Sequence, residues 1–160
     1  MFFRSLDKEF KRQLSIGQGQ APMLPSQKDW DIEKPGVRGQ VFAIELEAGK
    51  YEFYNWALSS GPTSARPESE FSIPFEIRPG QSTYVGGFSF VATGRMGLTI
   101  TSANVKHRDK IERDLAIIML NYPNIKTAQV WRGIEEGRSE EMLGGESVTQ
   151  TLIFVPMVVP

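Results

Sequence analysis

The sequence has no cysteine and a single histidine, His107. Lack of cysteine excludes disulfide staples, thiolate nucleophiles and Cys-based metal sites. A zinc site built on several imidazoles is excluded too, and any Ser-His-acid arrangement has to use His107. Neither sign of charge is in excess: 18 Lys and Arg stand against 19 Asp and Glu. The densest basic stretch, 106–113, also carries Asp109 and Glu112. Nucleic-acid binding depends on clustered cations meeting phosphates, so no nucleic-acid partner is expected. No apolar run approaches the ~20 residues of a membrane-spanning helix, so no transmembrane span is expected. Arg4, Asp7, Lys8 and Glu9 interrupt the N-terminus before any signal-peptide-like apolar region. Taken as the true start, this N-terminus implies a cytoplasmic protein. The opening Met1-Phe2-Phe3 reads as the inside of a strand, which implies a missing upstream segment.

What is present is material for one core. A chain of 160 residues fits a single domain, residues 1–160. Ten Phe, four Tyr and three Trp supply its bulk. Strand signals dominate. Phe71, Ile73, Phe75 and Ile77 alternate with polar residues and Pro74, the period of two of a half-buried strand. Pro74 lacks an N–H, which places this strand at an edge or a bulge. Phe42, Ile44 and Leu46 alternate in the same way, and so do Leu98 and Ile100. Tyr84, Phe88 and Phe90 share a face, as do Val148, Leu152 and Phe154. In the run 51–56, Tyr51 and Phe53 face one side, Tyr54 and Trp56 the other. That pattern predicts a central strand covered on both faces.

Two turns punctuate these runs. Glu47-Ala48-Gly49-Lys50 is expected to join the Phe42 run to the Tyr51 run as a hairpin. Arg78-Pro79-Gly80-Gln81 carries the Pro-Gly pair of a type II turn. One helix is predicted at about 109–122. Ile111, Leu115, Ile118, Met119 and Tyr122 form a single apolar stripe, widened by Ile117 and Leu120. Asp109 and Glu112 have the spacing of a capping box, and Pro123 ends the helix. The stripe implies a helix well buried against a sheet. Residues 18–39, 59–69 and 135–146 read as loops. The fold expected is mainly β: an antiparallel β-sandwich, immunoglobulin- or prealbumin-like, with one late helix.

Chemistry-bearing motifs are few. His107-Arg108-Asp109 matches the opening of a kinase catalytic loop, but Asp114 stands where that loop needs Asn. A hydrolase would need His107 beside Ser59 or Ser60, or a carboxylate pair such as Glu45/Glu47, Glu135/Glu136 or Glu140/Glu141. Neither serine lies in a G-x-S-x-G elbow. His107 is therefore read as a polar surface residue, and the acids as solvated charge. Gly86-Gly87 fits no phosphate cradle and reads as close backbone packing or a bulge. No catalytic residue, metal or cofactor is assigned. The candidate ligand-binding residues are Trp30, Trp56 and Trp131, whose rings could stack on a sugar or small ligand.

Three segments carry a family likeness: Glu45-Leu46-x-Ala48-Gly49-x-Tyr51, Phe75-x-Ile77-x-Pro79-Gly80 and Tyr84-Val85-Gly86. With the helix bearing Arg113-Asp114-Leu115 and Tyr122-Pro123, the run 41–121 resembles bacterial lipoprotein-like domains with transthyretin- or carboxypeptidase-regulatory-like sandwiches. The resemblance implies an exported protein of the periplasm or outer membrane, and it supplies no catalytic residues. The function expected is a non-enzymatic structural or interaction module of the bacterial envelope. Its partner would be a protein or a glycan, with strand-edge oligomers as one mode of contact. A small-ligand or glycan-binding module is the alternative, and a hydrolase the second.

Overall fold

A computed structural model describes residues 1–16, 30–125, 130–136 and 138–151. Strands take 48% of the described residues and helix 8%. The fold is mainly β, as the alternation predicts.

The first layer is a four-stranded antiparallel sheet. It is built from β1 (Phe2–Ser5), β2 (Lys11–Gln13), β5 (Gly49–Asn55) and β8 (Ile73–Ile77), in the order β2-β1-β5-β8. β8 is an edge strand, so Pro74 has no ladder N–H to lose. Between the strands already mentioned lie β3 (Ile32–Lys34), β4 (Val37–Gly39), β6 (Leu58–Ser60) and β7 (Thr63–Pro67). Each of these two pairs is a short antiparallel hairpin. They fall within the 18–39 and 59–69 stretches expected to be loops. Their turns hold Gly36 at φ 75° and Gly61 at φ 57°, the left-handed conformation that glycine adopts without strain.

The second layer centres on a long hairpin of β10 (Gly87–Met96) and β11 (Thr99–Arg108), preceded by β9 (Ser82–Tyr84). The Tyr84–Phe90 run is therefore two strands, broken at Gly86. Beside β11 lies the ladder β13-β7-β6, where β13 is Ser147–Thr151. Leu152 and Phe154 lie outside the described residues. One pairing departs from the expected antiparallel pattern: β12 (Val130–Arg132) runs parallel to β9.

Aromatic rings join the layers. Phe3, Tyr51, Phe53 and Phe75 line the inner face of the first sheet, all buried. Phe53 stacks on Phe75 at 4.8 Å and meets Phe88 of the hairpin edge-on at 4.7 Å. Val105 and Ala103 of β11 close the same core. β5 is central, but its second face is polar. Glu52 is held there by Arg4 at 2.7 Å and Ser72 at 2.6 Å. Arg4 also lies over the Tyr54 ring. Burial pushes the Glu52 carboxyl up, yet the Ser72 and Arg4 hydrogen bonds outweigh it and hold the group below its ordinary range.

Several expectations are corrected by neighbours the pattern could not show. Residues 41–46 form no strand, and Phe42 and Ile44 are exposed. Both edges of β5 are occupied, by β1 and β8, so a hairpin partner has no edge to join. Leu98 is not in a strand but projects from the β10–β11 turn, 97% exposed. The helix α1 (Ile111–Asn121) sits where predicted, but of its residues only Asp114 is buried. Met119 and Leu120 are exposed, and Ile111, Leu115, Ile117 and Ile118 are only half-buried, so the stripe is not deeply packed. The capping box does not form. Lys110 occupies the N-cap position, while Asp109 accepts from the Ile111 N–H at 3.1 Å. This helix is not long or apolar enough to cross a membrane.

The expected stability ranking follows from this core. Phe53→Ala should cost about 3–5 kcal/mol in urea unfolding, through lost transfer energy and an unfilled cavity. Leu98→Ser should stay within about 0.5 kcal/mol of the native protein.

Candidate functional site

The three candidate tryptophans do not converge. Trp56 is fully enclosed, its Nε1 donating to the Leu143 carbonyl at 2.9 Å and its ring edge-on to Phe90. It is a core residue with no face for a ligand. Trp30 is half-buried just before β3. Trp131 is 37% exposed in β12, with the Arg78 guanidinium 3.4 Å above its ring.

A different place in the fold gathers polar groups. His107, expected at the surface, is 1% exposed. Inward alternation along β11 puts Ala103, Val105 and His107 on the core side, so the imidazole ends a buried row. Phe88 lies opposite it in the hairpin and packs on its ring at 5.1 Å. Its Nε2 lies 3.1 Å from the Val85 carbonyl, which can only accept, so Nε2 carries the proton. In neutral His107 this leaves Nδ1 as a lone pair, and that atom is buried with no hydrogen-bond partner among the described residues.

Gly86 makes room for this ring. Its φ is +81°, and an added Cβ would lie within 2.8 Å of His107 Cε1 and closer still to Nε2. The Gly-Gly pair is thus a close approach of backbone to side chain, as its sequence suggested. On the far side, His107 exchanges both backbone hydrogen bonds with Glu140, at 2.9 and 3.2 Å.

Around the ring lies a small, partly open recess. Tyr84, Gly86, His107, Asp109, Arg132, Ile134, Glu135 and Arg138 line it. Its charges are largely paired. Arg132 bonds Asp109 and lies 3.6 Å from Glu136. Arg138 holds Glu140 at 3.1 Å and donates to the Ser72 carbonyl. The Tyr84 hydroxyl donates to Asp114 at 2.8 Å while accepting from the Lys110 N–H at 3.0 Å. Burial raises the Tyr84 pKa, and Asp114 reinforces that shift, so the hydroxyl keeps its proton. The two Tyr84 hydrogen bonds tie β9 to the start of α1, and within the helix Arg113 pairs with the same Asp114 carboxylate.

Burial holds the His107 pKa below its ordinary 6.5. The Val85 hydrogen bond opposes that shift and the charge of Arg138 adds to it. Among the described residues, no serine hydroxyl bonds the imidazole. Among the described residues, no three His, Asp or Glu side chains converge as a metal site. The arrangement fastens four segments together: the end of β9, the base of the hairpin, the start of α1 and the 138–141 stretch.

Sequence reasoning missed His107 because its neighbours Lys106, Arg108 and Asp109 look like a surface. The available signal was the inward alternation Ala103-x-Val105-x-His107. Compared with known proteins, the chain matches no family model, no curated protein and no solved structure.

The clearance at Gly86 gives a paired test. Gly86→Ala should destabilise by at least about 2 kcal/mol, from left-handed backbone and a ring collision together. Gly80→Ala has a similar φ, +69°, with no atom within 4 Å. It should cost only about 1 kcal/mol in the same thermal unfolding assay.

Proposed function

We propose that this chain is a non-enzymatic interaction module of the bacterial envelope, docking through the free side and tip of the β10–β11 hairpin. One observation carries the reading. Most charged groups near His107 are paired with one another, whereas the hairpin leaves hydrogen-bonding and apolar surface unspent among the described residues. Among the described residues, β10 makes its backbone hydrogen bonds with β11 alone. Its other side is an open edge ten residues long, with Arg95 as its one charged side chain. Open edges of this length are templates for strand addition unless something covers them. Val91 on the outward face and Met96 and Leu98 at the tip are exposed apolar side chains. The envelope location rests on the resemblance of residues 41–121 to lipoprotein-like sandwich domains.

A second reading, a glycan-binding module, is favoured by the exposed part of Trp131. Arg78 already covers one face of that ring, which leaves less of it for a sugar.

The test is site-specific photo-crosslinking in the producing bacterium. A photoreactive residue at Leu98 should give discrete adducts with envelope proteins, and the same residue at Lys34 should give none. Adding Val91→Lys should weaken the Leu98 adducts at least about tenfold, because a charge on the outward face opposes burial there. Equal labelling from both positions, or none, overturns the reading.

A further inference from the structure

We propose that His107 pins an acid-released latch, in which protonation of the buried imidazole frees residues Arg138–Glu141 from the outer edge of β11. The purpose of the latch, baring more of the hairpin's base to a partner, rests on the interaction reading above. The latch itself rests on the geometry at His107.

The imidazole is walled on three sides. β10 forms one wall and is bound to β11 at nine paired positions. Gly86, with the Val85 carbonyl, forms the second. The third is the irregular stretch 138–141, tied to β11 backbone by the two His107–Glu140 hydrogen bonds. Beyond those two backbone bonds it is held by partly exposed side-chain ties, from Arg108 to Ser139 and Glu141, from Lys106 to Glu141 and from Arg138 to the Ser72 carbonyl, so it is a weaker wall than β10 with its continuous ladder. Leu143 is a fixed hinge beyond it, buried, bonded from its N–H to the Val105 carbonyl and accepting from Trp56.

A proton on this ring finds little compensating charge. From its own strand, Lys106 and Arg108 are near, both paired with Glu141. Beyond the strand end is Asp109, already held by Arg132. From β9 and α1 come Tyr84, Asp114 and Arg113, bonded among themselves. From the facing stretch come Glu135 and Arg138, the latter paired with Glu140. The backbone of Arg138 and the Asp109 charge favour the imidazolium, and burial with the Arg138 charge outweighs them.

The direction of the pH effect follows. The closed protein binds this proton more weakly than any state in which the ring reaches water. Acid therefore favours opening. Stability contributed by neutral His107 is whole above about 6.5 and declines as pH falls toward the depressed native value. Opening at this weaker wall lets the cation reach solvent without dismantling the core.

The single histidine makes the test clean. On the full chain, NMR titration of the His107 ring should give a pKa below 6.5. Amide exchange, corrected for intrinsic rate, should quicken at least tenfold for His107 and Glu140 between pH 7 and pH 5. Leu143 and the β5 amides should keep their protection. His107→Gln, which retains a donor for Val85, should remove the pH dependence of the Glu140 amide. If that variant does not fold, the same exchange change must track the ring titration in the unmodified chain. The latch is overturned if the ring titrates at or above 6.5, if the two amides do not respond, or if all amides quicken together. Failure here leaves the Leu98 crosslinking result intact, and failure there leaves this one intact.

Discussion

The structure depends on aromatic contact between two layers that, among the described residues, share no backbone ladder. Phe53 belongs to the first sheet and Phe88 to the hairpin, and their edge-on rings, 4.7 Å apart, hold the layers at a fixed distance. Quadrupole geometry favours that edge-to-face placement, and burial of both rings supplies most of its strength. Phe3, Tyr51 and Phe75 extend the aromatic layer on one side. Trp56 and Phe90 extend it on the other. The buried imidazole of His107 lies at the border of this hydrocarbon, against Phe88.

What the sequence showed was the class of element and, in the best cases, its inner face. Alternation at 71–77 marked β8, and Pro74 marked it as an edge. Pro79-Gly80 marked its turn, where Gly80 has φ +69° and Gln81 donates to Arg78. The apolar stripe marked α1 to within two residues. What alternation cannot show is which strand edges are already taken. Residues 41–46 alternate as well as any strand in the chain, yet β1, about forty residues earlier, holds the edge they would need. The missed hairpins failed for a smaller reason. Lys34-Pro35-Gly36-Val37 has the same Pro-Gly centre as the turn that was read correctly, but its flanking strands are only three residues each.

The polar cluster was the least legible part. Its members come from β9, β11, α1 and β12, so no window of sequence contains them together. His107 illustrates the difficulty. Three charged neighbours suggest solvent, while a period of two suggests the core, and the core reading prevails because Phe88 stands opposite. Helix α1 shows the converse. Its apolar stripe suggests deep burial, but Ile111, Leu115, Ile117 and Ile118 are only half-buried, the Tyr84 hydroxyl bonds its Asp114 carboxylate, and Leu120 is left in water.

The parallel pairing of β9 with β12 has a topological consequence. Ser82 meets Val130, 48 positions further along the chain, and between them lie the whole hairpin and α1. Closing so long a loop from an extended chain is entropically costly. The β10–β11 ladder and the helix are local structures that need no distant partner, and once formed they shorten the effective loop. The chain thus carries its own spacer, and β12 completes the second layer only as neatly as the spacer is folded.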